Sequence, residues 1–168
     1  MKIQVSQFKT RLGAVVVFAR DGAVCALGFA GQRATLMRAL KRRFRSLELE
    51  RVSDAAGAAR ALRAYFAGDL QAAAAVPLDL DGTAFQRRVW RALRGIPAGR
   101  TTTYAALARG IGRPSAVRAT ARANATNPAC ILVPCHRVIG SDGALRGYAG
   151  GLARKRRLLE HEGALASA

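Results

Sequence analysis

Cys135, between Pro134 and His136 and followed by Arg137, is the residue of this 168-residue sequence best placed to do covalent chemistry. An ordinary thiol has a pKa of about 8.5, so only a few per cent is nucleophilic thiolate at neutral pH. A nearby base and positive charge shift that balance. Pro134 has a fixed φ and no N–H, so it ends the preceding apolar run, Ile131-Leu132-Val133, in a defined turn. That run reads as a buried strand with Cys135 at its end. His136 supplies a general base, and Arg137 adds positive potential that favours thiolate. Neighbouring residues on extended chain point to opposite sides, so a bridging water is the expected link between His136 and the sulfur. The imidazole needs an acid to stabilise its charged form, as in other nucleophile–base–orienter sets. The acids after residue 80 are Asp81, Asp142, Glu160 and Glu162, and the residues alone leave that choice open.

The other two cysteines, Cys25 and Cys130, form no C-x-x-C spacing with it, so neither a disulfide framework nor a thiolate zinc cage is expected. Cys25 lies in an apolar strand and reads as a small core residue. Both histidines, His136 and His161, fall in the second half, which argues against an N-terminal metal site; no metal and no cofactor are expected. The formal charge is +18, nearly all of it arginine and spread along the whole chain. Such an excess points to a polyanionic partner, and the arginine fork suits phosphate and base edges. No helix pairs a basic face with exposed aromatics, so nucleic acid is favoured over a membrane surface. The apolar run Ala14–Ala19 is too short for a signal core or a membrane span. A cytoplasmic location is expected.

The elements that must position these residues fall into two parts. Gly13–Arg20 and Ala23–Phe29 are apolar, β-branched runs joined by Asp21-Gly22, a two-residue hairpin turn. Leu36, Met37, Leu40 and Phe44 recur at helical spacing, Leu47–Glu50 alternates as a strand does, and an alanine-rich helix runs from Ser53 to Phe66. Residues 1–80 therefore read strand–strand–helix–strand–helix. Pro77–Gly82 is the boundary. In residues 81–168, Thr83 and Gln86 form a capping box opening a helix whose buried face is Phe85, Val89, Trp90 and Leu93. Short helices over 103–109 and 115–124, the second capped by Ser115 and bearing Arg118 and Arg122, make a helix-turn-helix pattern. A last helix spans 151–161 and ends at Gly163. The fold class is mixed α/β (α+β).

Pro134-Cys135-His136-Arg137-Val138 resembles the active-site signature of the O6-alkylguanine-DNA alkyltransferases, the methylated-DNA-protein-cysteine methyltransferases. Gly82-Thr83-x-Phe85-Gln86-x-x-Val89-Trp90, Ile96-Pro97-x-Gly99-x-Thr101-x-Thr103-Tyr104, Asn127-Pro128, Gly147-Tyr148 and Leu158-Leu159-x-His161-Glu162-Gly163 follow the family's order. The likeness covers residues 82–163. It implies a ribonuclease H-like N-terminal support domain and a mostly helical, winged-helix-like C-terminal domain. It implies duplex DNA carrying alkylated guanine as partner, eversion of the damaged base, and irreversible transfer of its O6-alkyl group to Cys135. O6-methylguanine would be the chief lesion and O4-methylthymine a second.

By position, the resemblance makes His136 the water-linked base, Glu162 its orienter and Asn127 the tie across the cysteine turn. Tyr104 would crowd the phosphate beside the lesion and Arg118 would fill the vacated stack. Ser115, Arg122 and Arg137 would assist DNA binding. The carbonyls of Cys135 and Val138, with Tyr148 and the backbone of Ala149, would complete the base pocket; Ala149 stands where relatives often have serine. A monomer in solution is expected. The competing class is a relative that only binds alkylated DNA, in which tryptophan replaces the cysteine, and Cys135 argues against it.

Overall fold

Lys2–Thr10 forms a strand, β1, that the apolar-run reading leaves out because Gln4, Ser6 and Gln7 interrupt it. Ile3 and Val5 point into the core at period two, and that alternation is its signal. In the computed structural model, which describes residues 1–167, β1 is followed by β2 (Gly13–Arg20) and β3 (Ala23–Phe29). The sheet order is β3-β2-β1-β4, with β4 (Glu48–Arg51) parallel to β1 and the other pairs antiparallel. The β2–β3 turn is as expected: Asp21 and Gly22 both take positive φ, 51° and 78°. Every residue of β4 is exposed, and its charged side chains suit an edge strand.

Helix α1 (Arg33–Arg43) lays Leu36 and Leu40 on one sheet face, where they join Ile3, Val5, Val16, Phe18 and Phe44. Cys25 is buried in the same cluster, and burial pushes its thiol pKa up. Helix α2 (Ala58–Phe66) starts later than expected. Gly57 adopts φ 72° and ends a preceding 3-10 turn, while the Asp54 carboxylate accepts from the backbone N–H of Ala59 and Arg60 at 2.7 and 3.1 Å. This unit comprises Met1–Asp81.

The second compact unit begins at Gly82. Thr83 and Gln86 close the capping box reciprocally, at 2.9 and 3.1 Å, and open α3 (Ala84–Arg94). Val89, Trp90 and Leu93 are buried, and Trp90 Nε1 donates to the Ala123 carbonyl at 2.9 Å. Phe85 is only partly buried. Thr103 caps α4 (Tyr104–Gly110), and α5 (Val117–Ala125) packs against both α3 and α4. Ser115 is not the cap of α5: that position is Ala116, with no side-chain bond, and Ser115 is exposed one residue before it. Two-residue strands β5 (Thr102–Thr103) and β6 (Val138–Ile139) pair in parallel, and α6 (Leu152–His161) follows. No helix among the described residues is long and apolar enough to cross a membrane.

Candidate active site

Cys135 does not sit at the end of a strand. Ile131 takes φ 72°, and the backbone N–H groups of Leu132 and Val133 return to the carbonyls of Cys130 and Ala129, both at 2.9 Å. The apolar run is therefore a buried turn, and Cys135 begins a 3-10 turn, Cys135–Arg137. Its apolar side chains reflect burial rather than extended pairing; periodicity alone cannot separate the two for so short a run. Asn127 ties this segment down. Its Nδ2 donates to the Val133 carbonyl at 2.8 Å and its Oδ1 accepts from the Ala129 N–H at 2.9 Å.

The 3-10 turn sends His136 and Arg137 to one carboxylate. Glu162, the residue closing α6, places Oε1 at 2.8 Å from both His136 Nε2 and Arg137 Nη2, and accepts at Oε2 from Arg137 Nε at 2.9 Å. Arg137 Nη1 donates to the Ile96 carbonyl at 2.6 Å. Glu162 is the one acid of the four that meets His136. Arg137, expected to help bind DNA and to polarise the thiol, is instead buried in this two-pronged ion pair. A guanidinium neutralised in this way is occupied as a structural brace and is not presented to phosphate.

The electrostatics follow from burial. Desolvation pushes the Cys135 thiol up; the Asn127 side-chain hydrogen bond and the Lys155 charge pull it back toward thiolate. Desolvation pushes His136 down, and its Glu162 contact resists. Arg137 keeps Glu162 supplied with positive charge, so Nε2 must be the protonated ring nitrogen facing it. His136 Nδ1 is then a lone pair, and a lone pair is what a base needs.

Sequence reasoning missed Lys155. This lysine is wholly buried in α6, its Nζ donating to the carbonyls of Val138 and Arg146 at 2.6 and 2.5 Å. Burial lowers its pKa to about 8. The signal was available: 155, 158, 159 and 162 share one helix face, and that face is the buried one. Asn124, buried on α5, was also missed; its Nδ2 donates to the Cys135 carbonyl at 3.4 Å.

The remaining expected residues take varied positions. Tyr104 opens α4 half-buried, and its hydroxyl donates to the Arg146 carbonyl at 3.0 Å. Arg118 and Arg122 are exposed on α5, four apart and so on one face. Tyr148 is half-buried and hydrogen-bonds Cys130, whose thiol burial pushes up to about 12. Ala149 is exposed. Val138 is buried and its carbonyl already accepts from Lys155, which leaves one lone pair for a base edge.

The fold and the site together define a cysteine nucleophile with a buried histidine–carboxylate pair, set in a helical, arginine-rich unit. Residues 84–164 match the family model for the 6-O-methylguanine DNA methyltransferase DNA-binding domain. The methylated-DNA–protein-cysteine methyltransferase of Shigella flexneri is 49% identical over 124 residues, 73% of this chain and 72% of that one. The protein of that name from Mycobacterium tuberculosis strain H37Rv is 57% identical over 106 residues, 63% of this chain and 64% of the other. Among solved structures, Mycobacterium tuberculosis OGT in complex with DNA superposes with a TM-score of 0.80 at 39% identity, covering 97% of this chain and 93% of that one. The chain belongs to the methylated-DNA–protein-cysteine methyltransferase family.

Proposed function

We infer that this protein repairs O6-alkylguanine in duplex DNA by moving the alkyl group onto Cys135 Sγ, once per molecule. The observation that carries this reading is a buried cysteine, Cys135, followed in the chain by His136 and Arg137, which share the Glu162 carboxylate. The thiol proton passes through a water to His136 Nδ1, and the resulting imidazolium is stabilised by Glu162 at Nε2. The thiolate attacks the alkyl carbon. The sulfur–carbon bond forms as the carbon–O6 bond breaks, its electron pair enters the guanine ring, and the guanine regains one proton. The product thioether resists hydrolysis, so turnover stops after one event.

The target carbon is out of reach within a stacked duplex, so the base must leave the helix at a cost of a few kcal/mol. Arg118 and Arg122, exposed side by side on α5, are the groups we assign to the DNA backbone and to the vacated stack. Tyr104, at the start of α4, is assigned to the neighbouring phosphate, and exposed Ser115 to the approach of α5. Tyr148, the backbone of Ala149 and the carbonyls of Cys135 and Val138 are assigned to the extruded base. Phosphate contacts by arginine make affinity fall steeply with salt.

Mass spectrometry after incubation with duplex DNA containing O6-methylguanine tests the reading. One methyl group on the peptide carrying Cys135 is expected. An unmodified protein that nonetheless binds the lesion would replace the transferase reading with a binding-only one.

A further inference from the structure

Among the described residues of the second unit, Asn124 Oδ1, His136 Nδ1 and Thr120 Oγ1 are buried atoms that no protein group hydrogen-bonds. Two of them belong to residues tied directly to the nucleophile, one by a hydrogen bond and one along the chain. Asn124 Nδ2 donates to the Cys135 carbonyl, and His136 is the next residue along the chain. A carbonyl only accepts, so the amide nitrogen must face it and Oδ1 must be the free end. His136 Nδ1 is likewise an acceptor, because Nε2 carries the proton that faces Glu162.

Two acceptors cannot satisfy one another. Leaving a buried acceptor unpaired is costly, and ordered water is the usual remedy where several polar atoms meet. Water has two hydrogens for these two acceptors and an oxygen that can accept from a thiol.

We propose that Asn124 is a positioning residue that holds the relay water through Oδ1, so that the same water donates to His136 Nδ1 and accepts from the Cys135 thiol. This rests on the alkyl-transfer reading of Cys135. The proton balance is complete: the thiol proton passes to the water oxygen as a water proton passes to Nδ1, and Asn124 gains and loses nothing. Asn124 therefore links the helix assigned to DNA directly to activation of the sulfur. The charged and titratable groups that also face this cluster are Lys155 and Glu162 from α6, Arg137 from the 3-10 turn, Tyr104 from α4 and the Cys130 thiol from the buried turn before Cys135.

Thr120 provides the competing account. It lies one turn earlier on α5, and its hydroxyl could donate to Asn124 Oδ1 without any water. The test is the pH dependence of Cys135 alkylation by iodoacetamide, read on the peptide carrying Cys135, for the full chain and for Asn124→Leu and Thr120→Val. Asn124→Leu should move the half-point up by about one pH unit, an approximately tenfold loss of thiolate at pH 7. Thr120→Val should leave it in place.

A profile for Asn124→Leu that superposes on the unchanged protein overturns the proposal. So does a Thr120→Val profile shifted by the same amount. Should Asn124→Leu fail to fold, a high-resolution crystal structure of the unchanged protein decides. A water within about 3.2 Å of both Asn124 Oδ1 and His136 Nδ1 supports the proposal; Thr120 Oγ1 bonded to Asn124 Oδ1 overturns it. Iodoacetamide needs no DNA, so this result stands apart from failure of methyl transfer by the unchanged protein, which would sink the transferase reading itself.

Discussion

Lys155 Nζ donates to the carbonyl of Val138, three residues past the nucleophile, at 2.6 Å. The second donation, to Arg146, makes the lysine a clasp between α6 and two stretches of loop. A neutral amine keeps two N–H donors, so the clasp survives loss of its proton. Its charge, by contrast, serves the thiol.

Replacing Lys155 by Met should therefore raise the apparent pKa of Cys135, seen as a rightward shift of the alkylation pH profile. A stability signature accompanies it. The unfolded lysine holds its proton up to about 10.5, the folded one only to about 8. Between these values the unfolded state binds more protons, so raising the pH through this window favours the fold. The melting temperature of the unchanged protein relative to Lys155→Met should rise from pH 8 to pH 10. A flat difference would mean that the folded lysine titrates normally.

Glu162→Gln should be costly for a different reason. Arg137 is buried with both prongs on this carboxylate, and removing the charge leaves a buried cation without its counter-ion. Breaking such a pair typically costs about 3–5 kcal/mol. Urea unfolding should show a loss on that scale, and the variant's alkylation profile should also move to higher pH. Loss of stability with an unmoved profile would make Glu162 a brace for Arg137 alone.

The hairpin, the capping box and the α3 core were legible because each is set by neighbours in sequence: Asp21-Gly22 for the turn, Thr83 with Gln86 for the cap, and Val89, Trp90 and Leu93 for the face. Cys135 and His136 were legible as chemistry for the same reason. Contacts that close across the fold were not. The residues alone left Glu162 one of four acids; only the resemblance singled it out before the fold brought it to His136 over 26 positions, and the partner of Arg137 was invisible from a position that read as surface. Ile131–Val133 misled because complete burial, in a turn or in a strand, selects the same apolar residues.

Gly99 tests whether the Ile96–Tyr104 segment is matched to the site. It has φ 83°, and a Cβ added there would meet the Glu162 carbonyl oxygen at 3.1 Å. Left-handed backbone costs an L-residue about 1–2 kcal/mol before any contact is counted. Gly99→Ala should lower the unfolding midpoint by at least that much and slow methyl transfer, because the strain falls on the chain that carries Glu162. Stability lost with transfer unchanged would show that the segment yields without moving the carboxylate.

Cys135→Ala and Arg118→Ala separate chemistry from DNA handling. The thiol is buried and makes no phosphate contact in the proposed complex, so Cys135→Ala should abolish transfer and leave duplex affinity and its salt dependence intact. Arg118 is exposed on α5 and distant in role from the proton relay. Arg118→Ala should slow transfer from duplex DNA, by tenfold or more if extrusion costs about 1.4 kcal/mol extra without it. Transfer from free O6-benzylguanine, which needs no extrusion, should be unaffected. Equal slowing on both substrates would place Arg118 in the support of the site and remove it from the stack.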